Sequence, residues 1–214
     1  SKIYSELSLS ACLHEFALAP YIISKSDLRH HADTVRKESF FSNFVGGVHI
    51  DIEGKVYAKT PAVSVDGNPS DEWYKSRHIR TLDLFYHHFV SGYVDPARYC
   101  LSTRFSIEER HFESISALSP FVPRGHEHIF SLGFSRFFQG DYASATYLLV
   151  PQLENSIRFY MHTLNRETSK LDNELLQEDR SLSGMLESLR PELEQVFGED
   201  LINIIDLLFN YKPG

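Results

Sequence analysis

Cysteine is scarce in this 214-residue chain, which has only Cys12 and Cys100. Two cysteines are too few for a disulfide framework, and neither has the spacing of a Cys-x-x-Cys metal site. We therefore expect a reduced, cytoplasmic setting. No signal peptide is evident, and no apolar run approaches the roughly 18 residues that a membrane span requires, so no membrane association is expected. The glycine motifs of nucleotide-binding loops and the Gly-x-Ser-x-Gly motif of hydrolases are also missing.

Positive charge is in deficit as well, with 21 Lys and Arg against 29 Asp and Glu and a formal net charge of −8. Non-specific binding to nucleic acid depends on Lys and Arg that neutralise phosphates, so an acidic chain is a poor general binder. Any RNA site would therefore need a local cluster of basic side chains. The 42% of hydrophobic residues and 23% of charged ones indicate a folded core rather than disorder.

Helical spacing of apolar residues dominates the chain. It predicts helices over residues 3–19, 27–37, 69–91, 96–105, 107–118, 123–139, 141–164, 181–189, 192–197 and 201–209. Residues 48–60 instead alternate with a period of two around Glu53-Gly54, which predicts a β-hairpin. Residues 165–180 are polar and are expected to be irregular. The predicted fold is a mainly α-helical bundle with one small β-hairpin near residues 48–60.

Three local signals predict where these helices end or bend. Gly92 is expected to terminate the long helix before it. Ser106 and Glu109 have the spacing of a capping box at the start of the helix that follows. Pro151 lies inside a predicted helix and removes one backbone hydrogen bond, so a kink or break is expected between residues 147 and 151.

The best-patterned region is a helical hairpin over residues 123–164, with Gly140-Asp141 as its turn and Asp141 as N-cap of the second helix. Its small residues resemble those of a tetratricopeptide hairpin. Such arrays need several repeats to bury a core, and only one copy is present. The hairpin is therefore interpreted as a packing element.

The second hairpin helix carries the most suggestive polar set, Glu154, Asn155, Arg158 and His162. Glu154 lies at the edge of the apolar stripe, Arg158 lies farther round the helix, and His162 points away from the core. Glu154 and Arg158 have the favoured i,i+4 order of a helical ion pair. They form either a polar cluster at the rim of an active site or a boundary ion pair worth about 0–1 kcal/mol.

Eleven histidines raise the question of a metal site. His30-His31 and His87-His88 are adjacent pairs whose side chains project about 100° apart on a helix, which suits no shared ion. No His-x-x-x-His pair with an acidic third ligand occurs. We therefore expect no metal and no cofactor.

Residues 119–214 contain a long run of family landmarks. They comprise Ser-Pro-Phe-Val-Pro at 119–123, Gly133, Gly140-Asp141, Ala145, Leu-Leu-Val-Pro-Gln-Leu-Glu-Asn-Ser-Ile-Arg at 148–158, Thr-Ser-Lys-Leu-Asp at 168–172, Leu182, Leu186 and Phe-Gly-Glu-Asp-Leu at 197–201. This run resembles a domain of unknown function shared by many bacterial proteins and by eukaryotic endoplasmic-reticulum membrane-associated RNA degradation proteins, the ERMARD-like family. The resemblance implies that residues 119–214 are an ERMARD-like, HEPN-like helical domain. Residues 1–118 are then a separate N-terminal helical region with the predicted β-hairpin.

In that family an Arg-Asn-x-x-x-His motif follows on the next helix. It is the signature of HEPN-type proteins, many of which are metal-independent ribonucleases that act as dimers. The resemblance implies that the motif His performs acid–base chemistry and the motif Arg stabilises charge at the scissile phosphate. The present chain ends at Gly214 without this motif, so the domain is expected to be incomplete at its C-terminus. Arg158-x-x-x-His162 is no substitute, because it is one residue short and lacks the Asn.

A smaller departure from the family is His126, which stands where a basic residue is common, with Arg124 nearby. The function expected from the resemblance is that of a HEPN-like RNA-cleaving or RNA-binding protein, inactive as this chain stands. In the full-length form it would be a metal-independent ribonuclease, dimeric and with RNA as partner, in which Glu154 and Arg158 support the missing motif. The alternative is a noncatalytic helical module for protein interaction or dimerisation.

Overall fold

A computed structural model describes residues 7–38, 47–50, 53, 56–60, 69–171 and 177–210. Within these ranges the chain is mainly α-helical, which confirms the predicted fold class. The helices are α1 Leu9–Leu18, α2 Lys25–Glu38, α3 Asp71–Phe89, α4 Asp95–Arg104, α5 Arg110–Leu118, α6 Glu127–Gln139, α7 Tyr142–Thr163, α8 Leu182–Ser188, α9 Arg190–Phe197 and α10 Glu199–Phe209. The strands are β1 Gly47–Ile50, β2 Val56–Thr60, β3 Ser169–Leu171 and β4 Gln177–Asp179, and Val90–Val94 is π-helical.

Backbone packing divides the chain into two compact units. Unit 1 consists of Ser1–Pro20 and Val90–Met185, and unit 2 of Tyr21–Phe89 and Leu186–Gly214. Each unit thus combines segments that are far apart in sequence. These packing units differ from the expected division after residue 118, which concerns sequence domains and stays a prediction.

Unit 1 is built around an aromatic core. Phe112 of α5 stacks on Phe138 of α6 with ring centroids 5.7 Å apart, and Cys12 of α1 and Leu101 of α4 complete the buried cluster. The α6–α7 hairpin packs beside this core. Its helices approach closely at Gly133, where a Cβ atom would lie 2.6 Å from the side chain of Leu149.

The turn of this hairpin follows the sequence prediction. Gly140 has a positive φ of 83°, a left-handed conformation that suits glycine at the end of a helix. The Asp141 side chain accepts a hydrogen bond of 3.1 Å from the Ser144 amide and so caps α7. Because both signals are local, they could be read directly from the residue types.

Unit 2 has an aliphatic core between α2, α3 and α10. It contains Leu28 of α2, Leu82 of α3, and Ile204 and Leu207 of α10, all nearly or fully inaccessible to solvent. A second cluster lies along the α2–α3 pair and holds Ala32, Trp73 and Tyr74. These contacts fix α2 against α3, which matters for the cavity described below.

The described residues also form two antiparallel strand pairs. Strands β1 and β2 pair from Gly47↔Thr60 to Ile50↔Val56, which confirms the predicted hairpin. Strands β3 and β4 also pair, so the prediction of an irregular 165–180 segment is wrong for these residues. A three-residue strand is too short to show a period-two pattern, which explains why the sequence did not reveal it.

Two predicted helix ends are wrong. The chain stays helical through Gly92, because the π-helical segment leads directly from α3 into α4 and Gly92 does not adopt the left-handed conformation of a helix terminus. The capping box is absent, since α5 begins at Arg110 and Glu109 makes no side-chain cap. The Glu109 carboxylate instead lies 2.5 Å from Nδ1 of His128.

Of the kink or break expected at Pro151, the break does not occur. Helix α7 continues for 22 residues across this position. The proline removes one hydrogen bond, while buried side chains such as Ala145, Gln152 and Ile157 anchor the helix on both sides of it. In the described part of the chain, no helix has both the length and the apolar character needed to cross a membrane.

Candidate functional site

The predicted polar set on α7 is partly assembled in the structure. Nη2 of Arg158 donates a hydrogen bond of 2.7 Å to Oε1 of Glu154, which confirms the predicted ion pair. Nη1 of Arg158 donates to Oδ1 of Asn155 at 3.2 Å, and Asn155 donates to Gln152 at 3.2 Å. Three of the four predicted residues therefore form one hydrogen-bonded group.

This group continues onto the chain that follows α7. The second carboxylate oxygen of Glu154 accepts a hydrogen bond of 2.8 Å from the amide of Leu182, the first residue of α8. Nη2 of Arg158 also donates to the Arg180 carbonyl at 2.9 Å. We call Glu154, Arg158, Arg180 and Leu182 the α7 latch, because its two charged side chains hold the residues just before and at the start of α8.

Burial within the α7 latch reverses the order expected from the helix alone. The Arg158 side chain is 15% exposed, whereas that of Glu154 is 34% exposed. The segment around β4 covers Arg158, and Oδ2 of Asp179 lies 3.7 Å from its Nε. The geometry gives the pair a structural role in unit 1. Its expected support of a catalytic motif stays a prediction.

His162 does not join the α7 latch. Its side chain is exposed, as predicted, and its Nε2 lies 3.2 Å from the hydroxyl of the buried Thr168. His126 lies closer to the polar group, because its Nδ1 is 2.6 Å from Oε1 of Gln152. Both histidines thus have defined hydrogen-bond partners within unit 1.

Unit 2 contains a different kind of site, a cavity of about 390 Å³ between α2 and α3 that we call the basic pocket. Two of its lining side chains are arginines and two are histidines, and no described lining residue is acidic. The lining residues are His31, Ala32, Val35, Arg77, Arg80, Thr81, Leu84, Phe85 and His88. None of them was a site residue predicted from the sequence.

Arg77 occupies an electrostatically unfavourable place in this pocket. Its pKa is lowered, first by burial and then by the nearby charge of Arg80. Its Nε is buried without a hydrogen-bond partner among the described residues. The guanidinium carbon lies 5.2 Å from the centre of the Trp73 ring, a cation–π distance that offsets part of this penalty. A bound anion would stabilise both guanidinium groups.

The two histidine pairs each contribute one member to the same cavity. Nδ1 of His31 lies 3.3 Å from the hydroxyl of Thr81, and Nδ1 of His88 lies 2.8 Å from the carbonyl oxygen of Leu84. Across the described residues, no group of three His, Cys, Asp or Glu side chains could hold a metal ion. The two imidazoles line the same cavity as the two arginines.

A sequence signal for part of the basic pocket was present. Arg77, Arg80, Leu84 and His88 recur at intervals of three or four residues, the spacing that places side chains on one face of a helix. His88 was considered from the sequence only as a metal ligand, so this stripe led to no prediction of a site. The contribution of α2 could not be found in this way, because it depends on how the two helices pack.

A second cavity in unit 2, of about 530 Å³, surrounds His78. Only 8% of His78 is exposed, and its Nε2 has no hydrogen-bond partner among the described residues. Its pKa is lowered to about 4, mainly by burial and further by Arg29 and Lys25, against a smaller opposing effect of Asp33. His78 is therefore neutral at pH 7.

The second cavity has charges of both signs beside it, and one ion pair among them. Nζ of Lys25 lies 2.6 Å from Oε1 of Glu199, and the Lys25 amide donates to Asp200 at 2.8 Å. A lining with two acidic and two basic side chains attracts neither anions nor cations strongly. The basic pocket is therefore the stronger candidate for a binding site.

Comparison of the chain with protein-family models, with curated proteins and with solved structures gives no match in any of the three.

Proposed function

We propose that this chain binds single-stranded RNA without cleaving it, and that the basic pocket of unit 2 is the contact site for an RNA phosphate. The observation that carries the proposal is the placement of Arg77 and Arg80 with His31 and His88 around one cavity whose described lining contains no acidic residue. In a chain of net charge −8, RNA binding would need a local cluster of basic side chains. The lining of this cavity is such a cluster.

Guanidinium groups suit a phosphodiester because their planar donors match the geometry of its oxygens. Burial and mutual repulsion already destabilise the charged form of Arg77. A phosphate that contacted both Arg77 and Arg80 would relieve that repulsion, which would favour binding. The overall negative charge would at the same time limit binding elsewhere on the surface.

The test is the fluorescence anisotropy of a labelled single-stranded RNA of about ten nucleotides, titrated with protein at several salt concentrations. Arg80→Gln is expected to weaken binding about tenfold and to reduce the salt slope by about one, because one phosphate contact is lost. Arg110→Gln is the matched control, since Arg110 is exposed on unit 1 and lies 3.3 Å from Glu108. Equal affinities of the parent and Arg80→Gln would rule out this site.

We also propose that RNA cleavage requires a longer polypeptide. A longer polypeptide that carried an Arg-Asn-x-x-x-His motif after this chain would cleave RNA as a HEPN-type dimer, with Glu154 and Arg158 supporting the motif. The resemblance of residues 119–214 is its only support. Cleavage of a labelled RNA should then be slower in a Glu154→Gln form that is folded by circular dichroism. An unchanged rate would remove Glu154 from the reaction.

A second candidate function is that of a noncatalytic dimerisation module. It is favoured by Leu208 and Phe209 at the end of α10, which remain 52% and 45% exposed although both are large and apolar. Self-association would bury this surface. Sedimentation analysis should show a concentration-dependent dimer that Leu208→Asp weakens, and a monomer at high micromolar concentration would contradict the proposal.

A further inference from the structure

We propose that the basic pocket accepts a single unstacked nucleotide, with its phosphate on Arg77 and Arg80 and its base on the apolar surface of Leu84 and Phe85. This inference rests on the proposed RNA binding and makes it more specific. It predicts that one nucleotide unit, rather than phosphate charge alone, is recognised by the pocket.

The first argument is the apolar half of the lining. Leu84 lines the pocket and is 60% exposed. Covering a leucine side chain lowers the free energy, because its apolar surface is removed from water. Val35, which is partly exposed, extends the apolar surface from the α2 side. A site for inorganic phosphate would not need this surface, whereas a nucleotide base has a flat apolar face that can cover it.

The second argument is the rigidity of Phe85. Its ring is parallel to that of Phe89 at a centroid distance of 6.3 Å and meets the rings of Tyr86 and Tyr21 edge-on at 5.4 and 6.3 Å. Three aromatic neighbours therefore fix its orientation. A fixed aromatic side chain loses little conformational entropy when a base packs against it, which favours binding.

The third argument is size. A cavity of about 390 Å³ lies at the lower end of the range for small-molecule sites. It can hold one nucleotide but not a stacked base pair. Bases inside a duplex are paired and stacked, so only a single strand can turn a base into the pocket. The pocket should therefore discriminate between single-stranded and double-stranded RNA.

Competition experiments test this inference with the parent protein and a labelled single-stranded RNA. Adenosine monophosphate is expected to displace the RNA at a concentration at least tenfold lower than inorganic phosphate, because the base adds contacts to those of the phosphate. A duplex RNA of equal length should compete more weakly than its single strand. Adenosine without phosphate should compete poorly, since it cannot engage the two arginines.

Leu84→Ser isolates the base contact. The residue is exposed, so its replacement should leave the fold intact, and the advantage of adenosine monophosphate over inorganic phosphate should fall by at least threefold. Leu118→Ser is the control, because Leu118 is 84% exposed on α5 of unit 1. It should leave the advantage unchanged.

The outcomes separate the two proposals. If RNA binding depends on Arg80 but adenosine monophosphate competes no better than inorganic phosphate, the nucleotide inference is overturned and the phosphate site stands. The inference is also overturned if Leu84→Ser leaves the advantage intact. If the parent protein binds no RNA, both proposals fail.

Discussion

The α7 latch of unit 1 and the basic pocket of unit 2 both contain partly buried arginines, yet their surroundings differ. Arg158 contacts the Glu154 carboxylate, the Asn155 amide oxygen and the Arg180 carbonyl. Arg77 lies beside another arginine in a cavity without an acidic residue in its described lining. The first arrangement pairs a partly buried charge with a carboxylate on the same helix, whereas the second places two like charges at one cavity.

This difference shows how a structural charge is distinguished from a binding charge. A partly buried ion pair with additional hydrogen bonds is costly to break but adds no affinity for a ligand. Two like charges held together destabilise the unbound protein and are useful when something else binds to them. Glu154 and Arg158 look most functional in the sequence. Their contacts are nevertheless better explained by a structural role than by a binding role.

The largest expected effect comes from removing the charge at the α7 latch. Arg158→Met keeps most of the side-chain volume but removes the guanidinium donor from Oε1 of Glu154 and from the Arg180 carbonyl. Breaking a largely buried pair on one side should lower the free energy of unfolding by about 2–4 kcal/mol. Urea denaturation followed by circular dichroism measures this change.

Arg110→Met is the matched control for the latch. Arg110 belongs to an ion pair with Glu108 whose side chains are 67% and 49% exposed, and exposed pairs contribute about 0–1 kcal/mol. If both variants were equally stable, the α7 latch would be no more than a surface ion pair and the contrast between the two sites would disappear.

A smaller loss of stability is expected at acidic pH, because His78 becomes protonated. Its pKa is lowered to about 4 in the folded protein from an ordinary value of 6.5. Between these pH values the unfolded chain binds more protons, so stability falls as the pH decreases from about 6.5 to 4, and this group has no effect above that range. By pH 4.5 the loss should reach about 2–3 kcal/mol.

Comparing urea unfolding at pH 7 and pH 4.5 isolates this contribution. His78→Gln should unfold with a weaker dependence on pH than the parent, because its side chain binds no proton in this range. His14→Gln, at an exposed histidine of unit 1, controls for the loss of an imidazole. A parent-like pH dependence in His78→Gln would show that burial does not disfavour its charge.

The smallest effect on stability is expected from Arg77→Met, the same substitution as in the latch but at the basic pocket. Removing this charge ends the repulsion with Arg80, while the methionine can still pack on Trp73. The free energy of unfolding should change by less than about 1 kcal/mol, whereas RNA affinity should fall about tenfold. A loss of stability as large as that of Arg158→Met would give Arg77 a structural role.

The sequence predicted the α7 latch only in part. The i,i+4 spacing identified the Glu154–Arg158 pair, because the two residues lie within one turn of the same helix. The hydrogen bond from Leu182 to Glu154 spans 28 residues and could not be read from periodicity. Arg158 is more buried than expected because a later segment covers it, which no pattern within α7 records.

The sequence by itself determined most helix positions, the β1–β2 hairpin and the Gly140-Asp141 turn, since each depends on the spacing or backbone preference of neighbouring residues. Only the tertiary structure decided that His31 and His88 line one cavity, because they lie on different helices. The burial of His78 was decided in the same way. Partners brought together from distant segments set the charge and exposure of a side chain, and these properties distinguish the latch from the pocket.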